Sequence, residues 1–261
     1  MSYVIVFANQ KGGVGKTTAA TSTADALMQL GKRVLLLDLD PQCNATDTYR
    51  AETIDVATAY DVFKGYPVAD SIQHTEAGDI IACDPLLMSA DAELYGSLES
   101  VTILKEALAA IMDDYDYIII DTRPSLGALL NNALACADSV IIPVTASRYA
   151  IQGIGQLNST IDLIREKVNP KIEIMGILHV KRDKRLKATK DAEQAFYEIA
   201  EEINTSVFDT MIPTCSDAVS AQNVSALLSK YCKRPNRAKT AYMELAREID
   251  AKVKVRAYVA E

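Results

Sequence analysis

The run Asn9-Gln10-Lys11-Gly12-Gly13-Val14-Gly15-Lys16-Thr17-Thr18 constrains this chain more than any other feature. It follows the apolar stretch Val4-Ile5-Val6-Phe7 and precedes a helical stretch from about Thr17 to Leu30, closed by Gly31 and the basic pair Lys32-Arg33. Strand, glycine-rich loop and helix, in that order, can wrap a phosphate chain in backbone N–H groups, with the positive end of the helix aimed at the anion. Gly12, Gly13 and Gly15 permit the tight turn and the close approach. Read this way, Lys16 neutralises β- and γ-phosphates and the Thr17 hydroxyl reaches Mg²⁺.

Two further strands carry acids at their C-terminal tips. Val34-Leu35-Leu36-Leu37 runs into Asp38-Leu39-Asp40-Pro41-Gln42, and Tyr117-Ile118-Ile119-Ile120 runs into Asp121-Thr122-Arg123-Pro124-Ser125-Leu126-Gly127. Apolar runs without alternation predict parallel strands buried on both faces, and the carboxyl edge of such a sheet is where ligands bind. Period two puts Asp38 and Asp40 on one face. An acid ending an all-apolar strand, as Asp121 does, suits Mg²⁺ held through its water shell.

The glycine loop departs from G-x-x-x-x-G-K-[ST] at one position: Gln10 stands where the first glycine would fall, and a lysine follows at position 11. This pattern, K-G-G-x-G-K-T-T, resembles the deviant Walker A loop of the ParA/MinD family of ATPases, and among these the DNA-partitioning ParA/Soj type. The resemblance implies that Lys11 reaches across a dimer interface to the nucleotide of the partner subunit. It also implies that Lys11, Gly12, Gly13, Val14, Gly15, Lys16, Thr17 and Thr18 bind the nucleotide. Asp-Leu-Asp-Pro-Gln is similar to the family's first switch, in which Asp40 orients the attacking water and Asp38 supports Mg²⁺ and the loop. The metal set so implied is Thr17, Asp121 and Asp38. Pro124 to Leu134, with Ala137-Asp138, resembles the second switch, except that Arg123 replaces the first proline of D-x-P-P. That leaves the rigidity of the turn open; Arg123 adds charge near the γ-phosphate, faces a partner or is solvated, with solvation the default. Met211-Ile212-Pro213 is similar to the element whose following loop touches adenine, which makes Pro213 a nucleotide-site residue. The resemblance covers most of residues 3–180 and fades beyond.

Apolar β-like runs recur at 3–8, 34–39, 79–82, 116–120, 139–144 and 172–178, with helical periodicity at 17–30, 100–113, 126–136, 150–168, 187–203 and 238–256. Alternating β and α segments predict an α/β, doubly wound, mostly parallel sheet with helices on both faces, the P-loop fold, over a single domain 1–261. Residues 43–78 read as irregular, with a short helix-like piece near Val56–Phe63 and a breaker at Gly65-Tyr66-Pro67. Five scattered cysteines without a C-x-x-C pair suggest buried free thiols in a reducing compartment. Neither His74 nor His179 is nominated for chemistry. No apolar run is long enough for a transmembrane span, and the N-terminal one is too short for a leader and leads straight into the loop.

The formal net charge of −8 argues against a constitutive nucleic-acid binder. Basic groups nevertheless cluster late in the chain, at 181–190 and 230–239. Lys181, Arg182, Lys184, Arg185, Lys187, Arg234 and Arg237 are the candidates for sequence-independent DNA contacts through counterion release. Arg185 stands near the position of an arginine carried by the family's DNA-partitioning members. The resemblance implies an ATP-dependent homodimer with ATP/ADP and Mg²⁺ as cofactors. It further implies a cytoplasmic, nucleoid-associated location, a ParB-like centromere-binding partner and no integral membrane association.

Three alternatives compete. A MinD-like membrane ATPase needs an amphipathic C-terminal helix, and the tail offers Val253, Val255 and Tyr258 with Lys252, Lys254 and Arg256 in a locally alternating pattern. A metal-cluster ATPase needs paired cysteines near the switches, where Cys136 stands without a convincing second. A non-enzymatic scaffold is disfavoured by intact Lys16, Thr17, Asp40 and Asp121.

Overall fold

The computed structural model describes residues 1–94, 99–147, 150–183, 185 and 187–260, without the side chains of 99, 187–191, 257, 259 and 260. Its strands are β1 (Tyr3–Phe7), β2 (Val34–Leu39), β3 (Ile72–Thr75), β4 (Gly78–Ile81), β5 (Tyr117–Thr122), β6 (Ser139–Val144) and β7 (Glu173–His179). They form one sheet in the order β3-β4-β2-β5-β1-β6-β7, parallel except for the β3–β4 hairpin at one edge. Helices α1 (Lys16–Gln29), α2 (Asn44–Tyr49), α3 (Ala59–Phe63), α4 (Leu87–Glu93), α5 (Ile103–Leu108), α6 (Ala128–Cys136), α7 (Ala150–Lys167), α8 (Lys187–Glu202), α9 (Ser216–Asn223), α10 (Leu228–Tyr231) and α11 (Arg237–Ala260) fill the connections.

The apolar strand runs explain the two-sided core. In β1, Val4 and Val6 join a cluster with Leu108, Leu129, Leu134, Leu157 and Ile161 of α5, α6 and α7. Ile5 and Phe7 point the other way, into a cluster with Leu27 of α1 and with Leu245 and Ile249 of α11. Alternate residues of one strand thus feed opposite faces, so a central strand is apolar on both. Small residues on the inner face of α1, Ala19, Ala20 and Ala24, are fully buried and let the helix lie close on the sheet.

All six strands anticipated from sequence are present. In the stretch 43–78, read as irregular, α3 matches the helix-like piece expected near Val56–Phe63, while α2 and β3 are not anticipated from sequence, and β3 pairs antiparallel with β4 through Ile72↔Ile81 and Thr75↔Gly78. Gly78, at φ 131°, makes that hairpin turn possible. The helix anticipated over 100–113 is shorter, α5 being followed by a tight turn at 109–111. The tail does not alternate: α11 is helical through 260, and Arg256 binds the Tyr3 hydroxyl at 2.6 Å and pairs with Glu173. Among the described residues no helix is long and apolar enough to cross a membrane.

Candidate nucleotide site

The glycine loop is fixed at its start by Asn9. The buried Asn9 amide donates to the Pro143 carbonyl (2.6 Å) at the tip of β6, and its oxygen accepts the Lys11 N–H (2.8 Å). Gly13 and Gly15 follow with φ of 72° and 96°, conformations that favour glycine. Gly15 leads into α1 with no side-chain cap and no acid in the first turn. The first-turn N–H groups are therefore left for an anion. Val14 is buried beneath the loop. Lys16 is only 6% exposed, while Thr17, Thr18 and Lys11 are half-buried. The Lys11 ammonium has no partner among the described residues.

The acids converge beside this loop because β2 and β5 are neighbours in register, with Asp38 opposite Asp121. Both side chains are fully buried. The Asp38 carboxylate accepts the Asp40 N–H (3.0 Å), the Thr46 N–H (2.8 Å) and the Thr46 hydroxyl (2.8 Å). That hydroxyl in turn accepts the Cys83 N–H (2.8 Å), which ties the segment to the end of β4. Asp38 therefore shapes the loop that carries Asp40. Asp40 is also buried and accepts the Gln42 N–H at 3.1 Å.

Asp121 is different: neither carboxylate oxygen has a well-formed hydrogen bond. Burial drives the pKa values of Asp38 and Asp121 up, and the Asp121 charge adds to the rise at Asp38. The Lys16 charge and the neighbouring Thr17 hydroxyl act against the rise at Asp121. An orphaned buried carboxylate beside a threonine hydroxyl and a phosphate loop fits a hard cation that takes its remaining ligands from phosphate and water. No three His, Cys, Asp or Glu side chains among the described residues converge as an all-protein metal cage.

Arg123 is ion-paired rather than freely solvated. Its guanidinium binds the Asp91 carboxylate of α4 at 2.8 Å, with both side chains largely buried. The other Asp91 oxygen accepts the Leu129 N–H at 3.0 Å, at the first turn of α6. One carboxylate thus holds the arginine in the proline's place and caps the helix of the second switch-like segment. Sequence reasoning missed Asp91 because α4 carries no strong pattern. It also missed Asn9 and Thr46, whose roles depend on which strand ends meet.

The remaining candidates separate. Pro213 lies on the same sheet edge, bridged to Arg182, with Arg182 N–H on the Ile212 carbonyl (2.9 Å) and Thr214 N–H on the Arg182 carbonyl (3.0 Å). The Lys181 ammonium bonds the Gly13 carbonyl at 2.7 Å, placing it on the loop. Arg182 is engaged by Glu193, and buried His179 lies 3.4 Å from the same carboxylate. Arg185 is exposed and held by Asp183 at 2.8 Å. Arg185 and Arg237 line one groove of about 1260 Å³ with Pro213 and Thr214, so the two basic clusters meet on one surface. Arg234 is exposed. Lys184 and the side chain of Lys187 lie outside the described residues. His74 pairs with Asp79, and all five cysteines are free, Cys83 and Cys232 buried and the others half-buried.

A glycine loop with two lysines opening a helix, acids at two adjacent strand tips and a parallel sheet define the P-loop nucleotide-binding class. The AAA domain family matches residues 2–174. The sporulation initiation inhibitor protein Soj of Bacillus subtilis (strain 168) is 38% identical over 255 residues, spanning 96% of this chain and 99% of the relative. The chromosome-partitioning ATPase Soj of Thermus thermophilus is 37% identical over 251 residues, spanning 95% and 96%. The crystal structure of cobyrinic acid a,c-diamide synthase from Mycobacterium smegmatis with bound ADP and magnesium has a TM-score of 0.81 at 30% identity, covering 95% of this chain and 93% of that one. The Cyanothece McdA–ATP complex has a TM-score of 0.83 at 22% identity, covering 95% and 96%, a likeness of fold. The chain belongs to the ParA/MinD family of P-loop ATPases.

Proposed function

We propose that this protein is a Mg²⁺-dependent ParA-type partition ATPase, a single domain over 1–261. On this reading ATP joins two copies face to face, the dimer binds DNA without sequence preference, and hydrolysis releases it. The observation that carries the reading is the combination of a complete cis site with a Lys11 ammonium that finds no partner among the described residues. Identity to chromosome-partitioning relatives over nearly the whole length supports the same reading.

Each residue has a task in the reaction ATP + H₂O → ADP + phosphate. The loop N–H groups from Gly12 to Thr18 cradle the phosphates, and Lys16 balances their charge. Thr17 and Asp121 would hold Mg²⁺, which would neutralise phosphate charge in the reaction. Asp38 keeps the loop in place so that Asp40 can orient the attacking water. Lys11 of the second copy adds positive charge where the γ-phosphoryl is transferred. Pro213 borders the purine. Arg185, Arg234 and Arg237, with Lys184 and Lys187, supply the DNA-facing charge, doubled when two copies join. A centromere-binding partner of the ParB kind accelerates turnover, and the protein works on the nucleoid in the cytoplasm.

The test is DNA binding by interferometry with ATP, ADP or no nucleotide, alongside phosphate release. ATP-specific binding that weakens with salt is the expected result. Equal binding without nucleotide would refute the reading. The MinD-like alternative is tested by vesicle co-sedimentation with ATP. Arg256 anchors α11 to Tyr3 and Glu173, which opposes release of that helix to a membrane.

A further inference from the structure

We propose that Lys181 is a positioning residue of the nucleotide site, clamping the phosphate loop in its anion-accepting shape, rather than a DNA contact. The inference rests on the reading of that loop as a nucleoside di- or triphosphate site.

Lys181 follows β7 and opens the basic segment, where its charge and exposure point outward to solvent. Its ammonium instead bonds the Gly13 carbonyl at 2.7 Å. Its stem crosses the next glycine, for a Cβ on Gly15 would stand 3.5 Å from Lys181 Cε. Gly13 and Gly15 are the two loop residues in left-handed conformations. The lysine therefore grips the loop where its backbone is least restrained by side chains. A carbonyl held by an ammonium cannot turn toward a bound phosphate, and the adjoining N–H groups keep their inward aim.

Lys181 is itself held in a costly backbone conformation, φ 54°. A residue keeps such a conformation when its surroundings over-determine it. Here Val180 N–H bonds the Val144 carbonyl (2.8 Å), Arg182 N–H bonds the Ile212 carbonyl (2.9 Å) and the Thr214 hydroxyl bonds the Lys181 carbonyl (2.8 Å). The tips of β6 and β7 and the segment around Pro213 thus converge to aim one side chain at the loop. A lysine serving DNA through long-range charge needs none of this support.

The experiment uses the full-length protein and titrates fluorescent ADP and ATP analogues into wild type, K181M, K181R and K181Q. K181M keeps the stem and loses the donor; K181R keeps a charged donor; K181Q keeps a neutral one and covers the case in which K181M does not fold. The expected result is about tenfold weaker nucleotide binding for K181M, the scale of one lost charge-assisted hydrogen bond. K181R stays within about threefold of wild type and K181Q falls between. Ligand-free melting temperature and DNA affinity at saturating nucleotide remain those of wild type. Wild-type nucleotide affinity in K181M, or DNA binding lost while nucleotide binding is kept, would overturn the proposal. A wild-type protein that bound no nucleotide would instead overturn the nucleotide-site reading on which it stands.

Discussion

Asp38 and Asp121 face each other across adjacent parallel strands, both removed from water, one wholly committed to hydrogen bonds and the other without a well-formed one. Burial raises both pKa values, and the charge of Asp121 adds to the rise at Asp38. Unfolded aspartates titrate near about 3.9. Between that value and the raised folded values, the folded protein binds more protons than the unfolded chain, so this pair's contribution to stability falls as pH rises through the window. With magnesium and nucleotide withheld, urea unfolding of wild type should therefore show a steeper loss of stability from about pH 5 to about pH 7.5 than Asp121→Asn. The variant should be the more stable of the two near neutrality and should gain nothing from magnesium and ATP. Parallel pH profiles would contradict the coupling.

Asp40 lies just past the end of β2, where its N–H donates to Asp38 and its carboxylate accepts the Gln42 N–H. Asp40→Ala should retain nucleotide affinity and ATP-induced assembly while losing turnover by roughly 10²-fold or more, the scale of a lost water-positioning group. Phosphate release and light scattering on the same sample check this. Full turnover would remove Asp40 from its role.

Asp91 joins α4 to both Arg123 and the first turn of α6. Asp91→Ala frees a largely buried guanidinium and uncaps the helix, and should cost about 2–4 kcal/mol of stability. Arg123→Ala removes only the ion pair and should cost less. Thermal unfolding of both and of the double variant checks it, with a coupling of about 1 kcal/mol expected between the two. Additive effects would show that the pair does not act as one latch.

These contrasts show what the chain reveals on reading. The phosphate loop, the acids at two strand tips and the central strands are legible because each is a local signal: glycines before a helix, a carboxylate ending an apolar run. Register is not local. Nothing in Val34–Asp40 states that Asp38 will face Asp121, which follows from β2 pairing with β5. Lys181 looks like one more charge in a basic run until the tip of β7 is placed beside the glycine loop. Arg123 looks solvated until α4, a helix of seven residues, brings Asp91 to it. The hairpin partner β3 is short and mixed in composition, and its pairing with β4 comes from the turn at Gly78 rather than from hydrophobic periodicity.

Arg185 and Arg237 come from separate basic runs and line one groove. Each single change to Ala should weaken ATP-dependent DNA binding and reduce the slope of log affinity against log salt by about one, without sequence dependence. Interferometry over a salt series checks it. An unchanged slope would take that residue off the DNA face.

Lys11, whose ammonium finds no partner among the described residues, carries the central claim that a second copy completes the site. The direct measurement is mass in solution by light scattering with ATP and magnesium under non-turnover conditions, comparing Lys11→Ala with wild type in the Asp40→Ala background. The account predicts a shift from 28.4 kDa to twice that mass with Lys11 present, and no shift with Lys11→Ala although nucleotide still binds each copy. A protein that binds ATP and stays monomeric, or a Lys11→Ala variant that dimerises as fully as its parent, would contradict it.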